Sequence, residues 1–409
     1  MRVRLEKSLK TWSEEAGYTY HGNESVLDLD IVKGSDIYRR LRTYGFSRDA
    51  AIATASFYGN IIEHGFALAP DLRVLCWYWP SGDKVIFPVN SRGSIYIGNS
   101  PEFWFDFYPF LNRCSQERHI YQCSLTEYNS PFQTGQSRCL QSLYIGGQTH
   151  FGHFIVDKFA PLLTLANIAK TLSFDSFIVP PEHRAVTREM LIVLMRELRE
   201  ESSSKQVFDS DNCQIFELPK VSGLHFVGPA WVPADNHRPD SLRLANQRLF
   251  GSTGPSFPLG IQANKQEEIR STAYVSRFPA EAGEHDRISN YQEVKEFLEA
   301  NSVDHIYPTD LSLKERLLLF SSYDLLISDS GSCCLNALLF SRPGARVFQF
   351  QSKRLLEDSS ELATSQHYKS LPLIGTRLFS IPGESSKQSA ANSWYDKINI
   401  NVNDIASAI

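Results

Sequence analysis

The sequence predicts an α/β protein with mainly parallel sheets in two halves, preceded by a less readable mixed N-terminal region. Three observations lead there. From residue 146 onward, short apolar runs of strand length alternate with longer runs of helical period, the pattern of strand–helix–strand units. Between about 251 and 271 the alternation stops in GSTGPSFPLGIQANKQEEIR, a stretch of Gly, Ser, Pro and charge that reads as a linker. A second alternating run follows it. At 409 residues the chain is also too long for one ordinary core. The expected organisation is an N-terminal α+β region over 1–140, an α/β domain over 141–250, the linker at 251–271 and a second α/β domain over 272–409.

The elements follow in order. The start, MRVRLEKSLKTW, alternates Arg2, Arg4, Lys7 and Lys10 with Val3, Leu5, Leu9 and Trp12. It lacks the apolar centre of a signal peptide and reads as a surface helix, or as a basic amphipathic helix resting on an anionic membrane. Leu72–Trp79 and Lys84–Val89, on either side of Pro80-Ser81-Gly82-Asp83, predict a hairpin, and Ser94–Ile97 a further strand. A helix over 150–170 precedes a strand at Ser176–Val179, a helix at Arg184–Glu200 and short strands at Val207-Phe208 and Gln214–Leu218. After the linker come a strand at Ala273–Ser276, a helix at Tyr291–Ala300 with Val294, Phe297 and Leu298 apolar, and a strand at His305–Tyr307. Ser312 followed by Glu315 is a capping-box pattern, so a helix starts there. A strand at Asp324–Ser328, a helix at roughly 332–340 and a strand at Arg346–Phe350 complete the run. Two α/β halves of this kind place a cleft between the carboxyl ends of two sheets.

Composition narrows the function. Apolar residues at 42% and charged residues at 21% describe a folded soluble chain. The net charge of −5 and the absence of a basic stripe interleaved with aromatics argue against nucleic acid as a partner. Trp77, Trp79 and Trp104 contribute to a high aromatic content, which buried rings explain more readily than sugar-stacking rings. Seven cysteines, at 76, 114, 123, 139, 213, 333 and 334, form no CxxC pair, which suits a reducing compartment. No apolar run approaches the ~20 residues of a membrane span. The expected location is cytoplasmic, with peripheral membrane contact as an addition.

Two stretches carry chemistry. In GGQTHFGHFIVDKFAPLLTL (146–165), His150, His153 and Asp157 are spaced i, i+3, i+7 and share one helical face. Phe154, Ile155, Leu162, Leu163 and Leu165 supply a buried side. Pro161 lies four residues after Asp157 and removes the N–H that the Asp157 carbonyl would receive, so the helix should kink there. A polar stripe beside a freed carbonyl suits a cleft; a core His–Asp hydrogen bond is the plain alternative. The three residues also invite a zinc-hydrolase reading, which lacks a fourth group at HExxH-like spacing. The second stretch is ISDSGSCCLNALLFSRPGARVFQF (327–350). A buried strand ends in Ser328-Asp329-Ser330-Gly331-Ser332 and small residues lead into a helix, whose free N–H groups and positive dipole end point outward. Gly331 lets a ligand approach the backbone, and Asn336, one turn in, can reach a ligand or tie two loops together. An ordinary strand-to-helix turn capped by serine is the alternative. Asp209-Ser210-Asp211 and Asp28-Leu29-Asp30 spell the DxD pattern of some cation-binding transferases, but neither falls in a convincing βα turn.

Taken together, His153 and Asp157 in HFGHFIVD, Arg277 in YVSR, Arg287 and Asn290 in RISN, and the run GSCCLNALLFSRPGA resemble glycosyltransferase family 61, in order and spacing over roughly 140–350. The resemblance implies a GT-B architecture, with two Rossmann-like domains facing a central cleft: an acceptor-side domain over 141–250 and a donor-binding one over 272–409. It implies an inverting transferase of the hexosyl or pentosyl type that uses a nucleotide-sugar as co-substrate, with no cofactor and no metal, in polysaccharide or capsule biosynthesis. The acceptor would be a glycan or a lipid-linked glycan. Asp157 is then the expected base, with His153 as its alternative or its orienting group. Arg277 and the weaker candidate Arg287 would meet the diphosphate, the backbone at Ser330, Gly331 and Ser332 would hold it, and Asn336 would steady that loop or contact the donor. The chain departs from the family pattern with Ser330 where His is frequent, Leu335 where Thr is, and Arg316 where Gln commonly follows the helix glutamate. Donor preference therefore cannot be inherited. A non-catalytic sugar- or nucleotide-binding module is the alternative of a different class, and a metal-dependent hydrolase using His150, His153 and Asp157 is the enzymatic rival.

Overall fold

The computed structural model describes residues 2–6, 8–26, 36–57, 61–78, 84–98, 111–115, 120–123, 126–129, 142–148, 151–165, 169, 172, 174, 176–179, 185–198, 214–218, 221–234, 241–251, 270–279, 285–357, 378–387 and 396–409. The chain divides into two compact units, Met1–Ser25 with Ile61–Arg238, and Val26–Asn60 with Pro239–Ile409.

The first unit is built on one mixed sheet. Its spine runs β12 (Gln214–Glu217), β11 (Ser176–Val179), β9 (Ser142–Tyr144), β13 (Gly223–Pro233), β3 (Ile61–Tyr78), β4 (Lys84–Val89), β5 (Ser94–Tyr96), β1 (Arg2–Glu6), β7 (Ile120–Cys123), β6 (Leu111–Ser115). Strands from before and after residue 140 thus share a sheet. The hairpin is present as β3 against β4, antiparallel, with Cys76 opposite Ile86 and Trp77 opposite Val85. Strands β9, β11 and β12 are mutually parallel, as alternating strand and helix require. Leu72, Val74, Ile86, Tyr144 and Val232 meet Leu9 and Trp12 of helix α1 (Leu9–Ala16) in the core.

The N-terminus corrects the sequence reading. Residues Arg2–Glu6 form a strand, not a helix, parallel to β5 with Arg4 opposite Ser94 and antiparallel to β7. The alternation of basic and apolar residues has period two, which is a strand's period. The helix begins only at Leu9, capped by Ser8, whose side chain accepts from the Thr11 N–H. Its apolar residues Leu9 and Trp12 are buried, and the Trp12 indole N–H donates to the Ser94 carbonyl over 2.7 Å. The amphipathic helix on which the membrane-contact expectation rested is therefore absent over 2–6. Among the described residues no helix is long and apolar enough to cross a membrane.

The second unit holds a six-stranded sheet in the order β15 (Asp304–Ile306), β14 (Arg270–Val275), β16 (Tyr323–Ser328), β17 (Arg346–Ser352), β18 (Leu378–Lys387), β19 (Lys397–Ile400). Every pairing is parallel except β18 with β19. Helix α7 (Tyr291–Ala300) follows the β14 loop, α8 (Leu313–Ser321) precedes β16 and α9 (Ser332–Phe340) follows it. The start of α8 is the predicted capping box: Ser312 accepts from the Glu315 N–H and Glu315 accepts from the Ser312 N–H. Every residue of α9 from Cys333 to Phe340 is buried, as befits a helix that is apolar on all sides. Helix α2 (Asp36–Tyr44), far upstream, packs on this unit: the Tyr44 hydroxyl donates to Gln349 over 2.8 Å.

Candidate functional site

The order β15-β14-β16-β17 places a topological switch between β14 and β16, because the chain runs from β14 to β15 on one side of it and then crosses to β16 on the other. Ligands of open α/β sheets bind outside the carboxyl ends of strands at such a point. Val275 pairs with Ser328 at the ends of β14 and β16, so the segments starting at Ser276 and Asp329 emerge side by side.

Asp329 is the hub there. Its N–H donates to the Val275 carbonyl over 3.1 Å. Its Oδ1 accepts from the Tyr274 hydroxyl at 2.6 Å, and its Oδ2 from the Arg277 N–H at 2.8 Å and from His285 Nε2 at 2.9 Å. The other ring nitrogen, Nδ1, accepts from the backbone N–H groups of Arg287 at 3.0 Å and Ile288 at 3.1 Å. Two donors aimed at Nδ1 leave no room for a proton on it, so the hydrogen resides on Nε2 and is given to Asp329. The ring lies edge-on to Phe278 and tilted against Tyr291. Burial pushes the Asp329 carboxyl up, but the hydrogen bonds it accepts from His285, the Tyr274 hydroxyl and the Arg277 N–H outweigh it and hold it below its ordinary value. Burial and the Asp329 charge push the Tyr274 phenol well up. Burial also drives the neighbouring Cys333 thiol well up and that of Cys334 to about 12, so neither is a reactive thiolate.

One carboxylate thus fixes the backbone of Arg277 directly and that of Arg287 through His285. Arg277 sends Nη1 to Asp286, 3.1 Å from Oδ2, while its buried Nε has no hydrogen-bond partner among the described residues. Arg287 donates from Nη1 to the Ser330 hydroxyl over 3.3 Å. Gly331 is the N-cap of α9 at φ 93, ψ −137, and no side chain caps that end. Such a φ favours glycine, so the turn is closed by Gly331 and not by a serine. The N-terminal N–H groups of α9 and two arginines form a set suited to an oxyanion. Ser332, at the first turn, is half-buried.

Asn336 has a different place. It is 2% exposed; its Nδ2 donates to the Ser332 carbonyl over 2.7 Å, and its Oδ1 accepts from Arg316. Arg316, itself 1% exposed, also donates to the Leu311 and Pro308 carbonyls. Of the two roles open to Asn336 in the sequence, its amide occupies the one that ties loops together. Sequence reasoning passed over Asp329 as an anchor and missed His285 and Asp286. The only available signals were an aspartate just past a buried strand and a histidine in the polar loop GEHDRISN.

In the first unit the segment around Asp157 is one helix, α4, with an altered middle: α-helical at Phe151–His153, π-helical at Phe154–Phe159 and α-helical again at Ala160–Thr164. Where the sequence predicts a kink, the helix carries a π-helical segment. Pro161 cannot supply the N–H that an α-helical Asp157 carbonyl needs, whereas i→i+5 geometry turns that carbonyl to Leu162, which has one. Phe154, Ile155, Leu162, Leu163 and Leu165 are buried, as their spacing predicts. The side chains of His153 and Asp157 lie outside the described set, as do His150, Asp209, Asp211, Asp28 and Asp30 entirely. Among the described residues no three His, Cys, Asp or Glu side chains gather as metal ligands.

The fold and site define an α/β protein whose second unit carries its candidate ligand site at the switch point of a parallel sheet. Residues 151–348 match the family model Glycosyltransferase 61, a segment that contains α4, Arg277, His285 and Asp329, and the match supports membership of glycosyltransferase family 61. Membership supports a transferase acting between a sugar donor and a glycan acceptor. No curated protein matches the chain.

Proposed function

We propose that the chain is an inverting, metal-independent glycosyltransferase of the GT-B kind, moving a sugar from a nucleotide-sugar donor to a glycan or lipid-linked glycan acceptor in polysaccharide synthesis. The observation that carries this reading is the Asp329 hub, which holds the backbones of Arg277 and Arg287 beside the Gly331 turn at the sheet's switch point. A departing diphosphate needs positive charge that is already in position. Two arginines and the N-terminus of α9 supply it without a divalent ion. In this division of labour the second unit takes the donor and α4 of the first supplies the base. Asp157 removes the acceptor hydroxyl proton, the oxygen attacks the anomeric carbon opposite the leaving group, and the nucleoside diphosphate leaves toward Arg277.

The test is thermal unfolding of the full chain against a panel of nucleoside diphosphates and monophosphates. A ligand at a hundred times its dissociation constant stabilises the state it binds by about 2.7 kcal/mol. Arg277→Ala should remove most of the shift while leaving the unliganded melting temperature nearly unchanged, since an exposed ion pair contributes little to the empty fold. A panel that leaves the melting curve unmoved at millimolar concentration would remove the donor site, and with it the transferase reading.

A further inference from the structure

Asp286 lies between the two arginines in sequence, and its carboxylate is joined to one of them. Arg277 Nη1 is 3.1 Å from Oδ2 and 3.5 Å from Oδ1. The contact uses a single nitrogen of the guanidinium. The fork that grips a phosphate oxygen pair needs two N–H groups in parallel, and Arg277 Nε, buried and without a partner among the described residues, takes no part. The Asp286 side chain is 54% exposed and that of Arg277 is 25% exposed. Asp286 can therefore turn to water at small cost, whereas Arg277 remains at the strand end.

Both ends of this contact are fixed in the backbone. Arg277 N–H is held by Asp329. Asp286 sits between His285, whose ring is clamped to Asp329, and Arg287, whose N–H is held by that ring. The pair is thus imposed by the same hub that positions the site, and breaking it requires only side-chain rotation. We propose that Asp286 is an internal competitor for the anion. Resting on the donor-site reading above, it occupies Arg277 while the site is empty and is displaced when a diphosphate takes the guanidinium fork. A site with such a competitor binds more weakly by the fraction of Arg277 that is free. For a pair this exposed, the factor is about two- to five-fold.

The experiment is a double-mutant cycle with inorganic pyrophosphate as the probe, read by calorimetry on the full chain at millimolar probe concentration. Asp286→Asn should strengthen binding about two- to five-fold in the parent protein, and should leave affinity unchanged in an Arg277→Ala background. An equal gain in both backgrounds would mean that Asp286 acts as a plain negative charge, and overturns the proposal while the donor site stands. No gain in the parent overturns it as well. Absence of binding by all four proteins to pyrophosphate and to every nucleoside diphosphate of the panel removes the donor site and the competitor together. Circular dichroism of the four proteins separates any loss of binding from loss of fold.

Discussion

His285 and Asp329 are joined by a hydrogen bond of 2.9 Å from Nε2 to Oδ2, with the imidazole side chain 1% exposed and the carboxylate 3% exposed. The bond links the loop after β14 to the end of β16. Because Nδ1 of the same ring accepts from Arg287 and Ile288, it carries the position of the carboxylate into the loop that bears Arg287.

Removing the carboxylate charge should therefore destabilise the second unit. Asp329→Asn keeps the size but replaces one acceptor oxygen with an NH2 group facing donors, which leaves buried groups unmatched. The expected loss is about 2–4 kcal/mol, read as a lower urea midpoint at unchanged slope. His285→Ala should lose a comparable amount, and the double variant less than the sum. Additive losses would mean that the two residues are not one unit.

The same carboxylate sets a pH dependence. Its folded value is depressed below the ordinary 3.8, so its ionised form contributes stability that is fully present above about pH 4 and lost as pH falls through the folded value. The difference in melting temperature between the parent and Asp329→Asn should be constant from about pH 7 to pH 5 and should shrink below about pH 4. A difference that widens on acidification contradicts a depressed value.

Asp157→Asn tests the base. Turnover should fall by about two to four orders of magnitude, the range for loss of a general base, while the melting temperature stays close to the parent's because the swap is nearly isosteric. Ordinary turnover in the folded variant removes the assignment. A collapse in stability points instead to a core hydrogen bond on α4.

Chelation tests the source of positive charge. If Arg277, Arg287 and the N-terminus of α9 neutralise the leaving group as proposed, EDTA should leave the initial rate unchanged. Abolition by EDTA with rescue by manganese would turn attention to Asp209 and Asp211. Stoichiometric zinc in the purified protein would favour the hydrolase.

Much of the second unit is legible from local signals. Val294, Phe297 and Leu298 give Tyr291–Ala300 a helical spacing, Ser312 with Glu315 writes the cap of Leu313–Ser321 in four residues, and the small residues at Ser330–Ser332 mark the turn into Ser332–Phe340. The strands between them are short apolar runs with clear punctuation, so neither period nor boundary depends on distant residues. The buried face of α4 and the proline-driven departure from α geometry at Asp157 were readable for the same reason, although a kink and a π turn look alike in a sequence.

What the sequence alone determined about this protein is therefore its class, its alternating elements and the strand-to-helix turn ending at Gly331, all of which follow from periodicity and single-residue chemistry. Tertiary structure decided the rest. Arg2–Glu6 is a strand because partners about 90 and 120 residues away, at β5 and β7, complete its hydrogen bonds. His285 is an anchor and not a surface residue because Asp329, 44 positions on, meets its Nε2. Asn336 is a tie because the buried Arg316 reaches it from another helix. A lone histidine, aspartate or asparagine has the same local appearance whether it ends in water, in a ligand or against another side chain. Only the fold's long-range pairings remove water from around it and choose its partner.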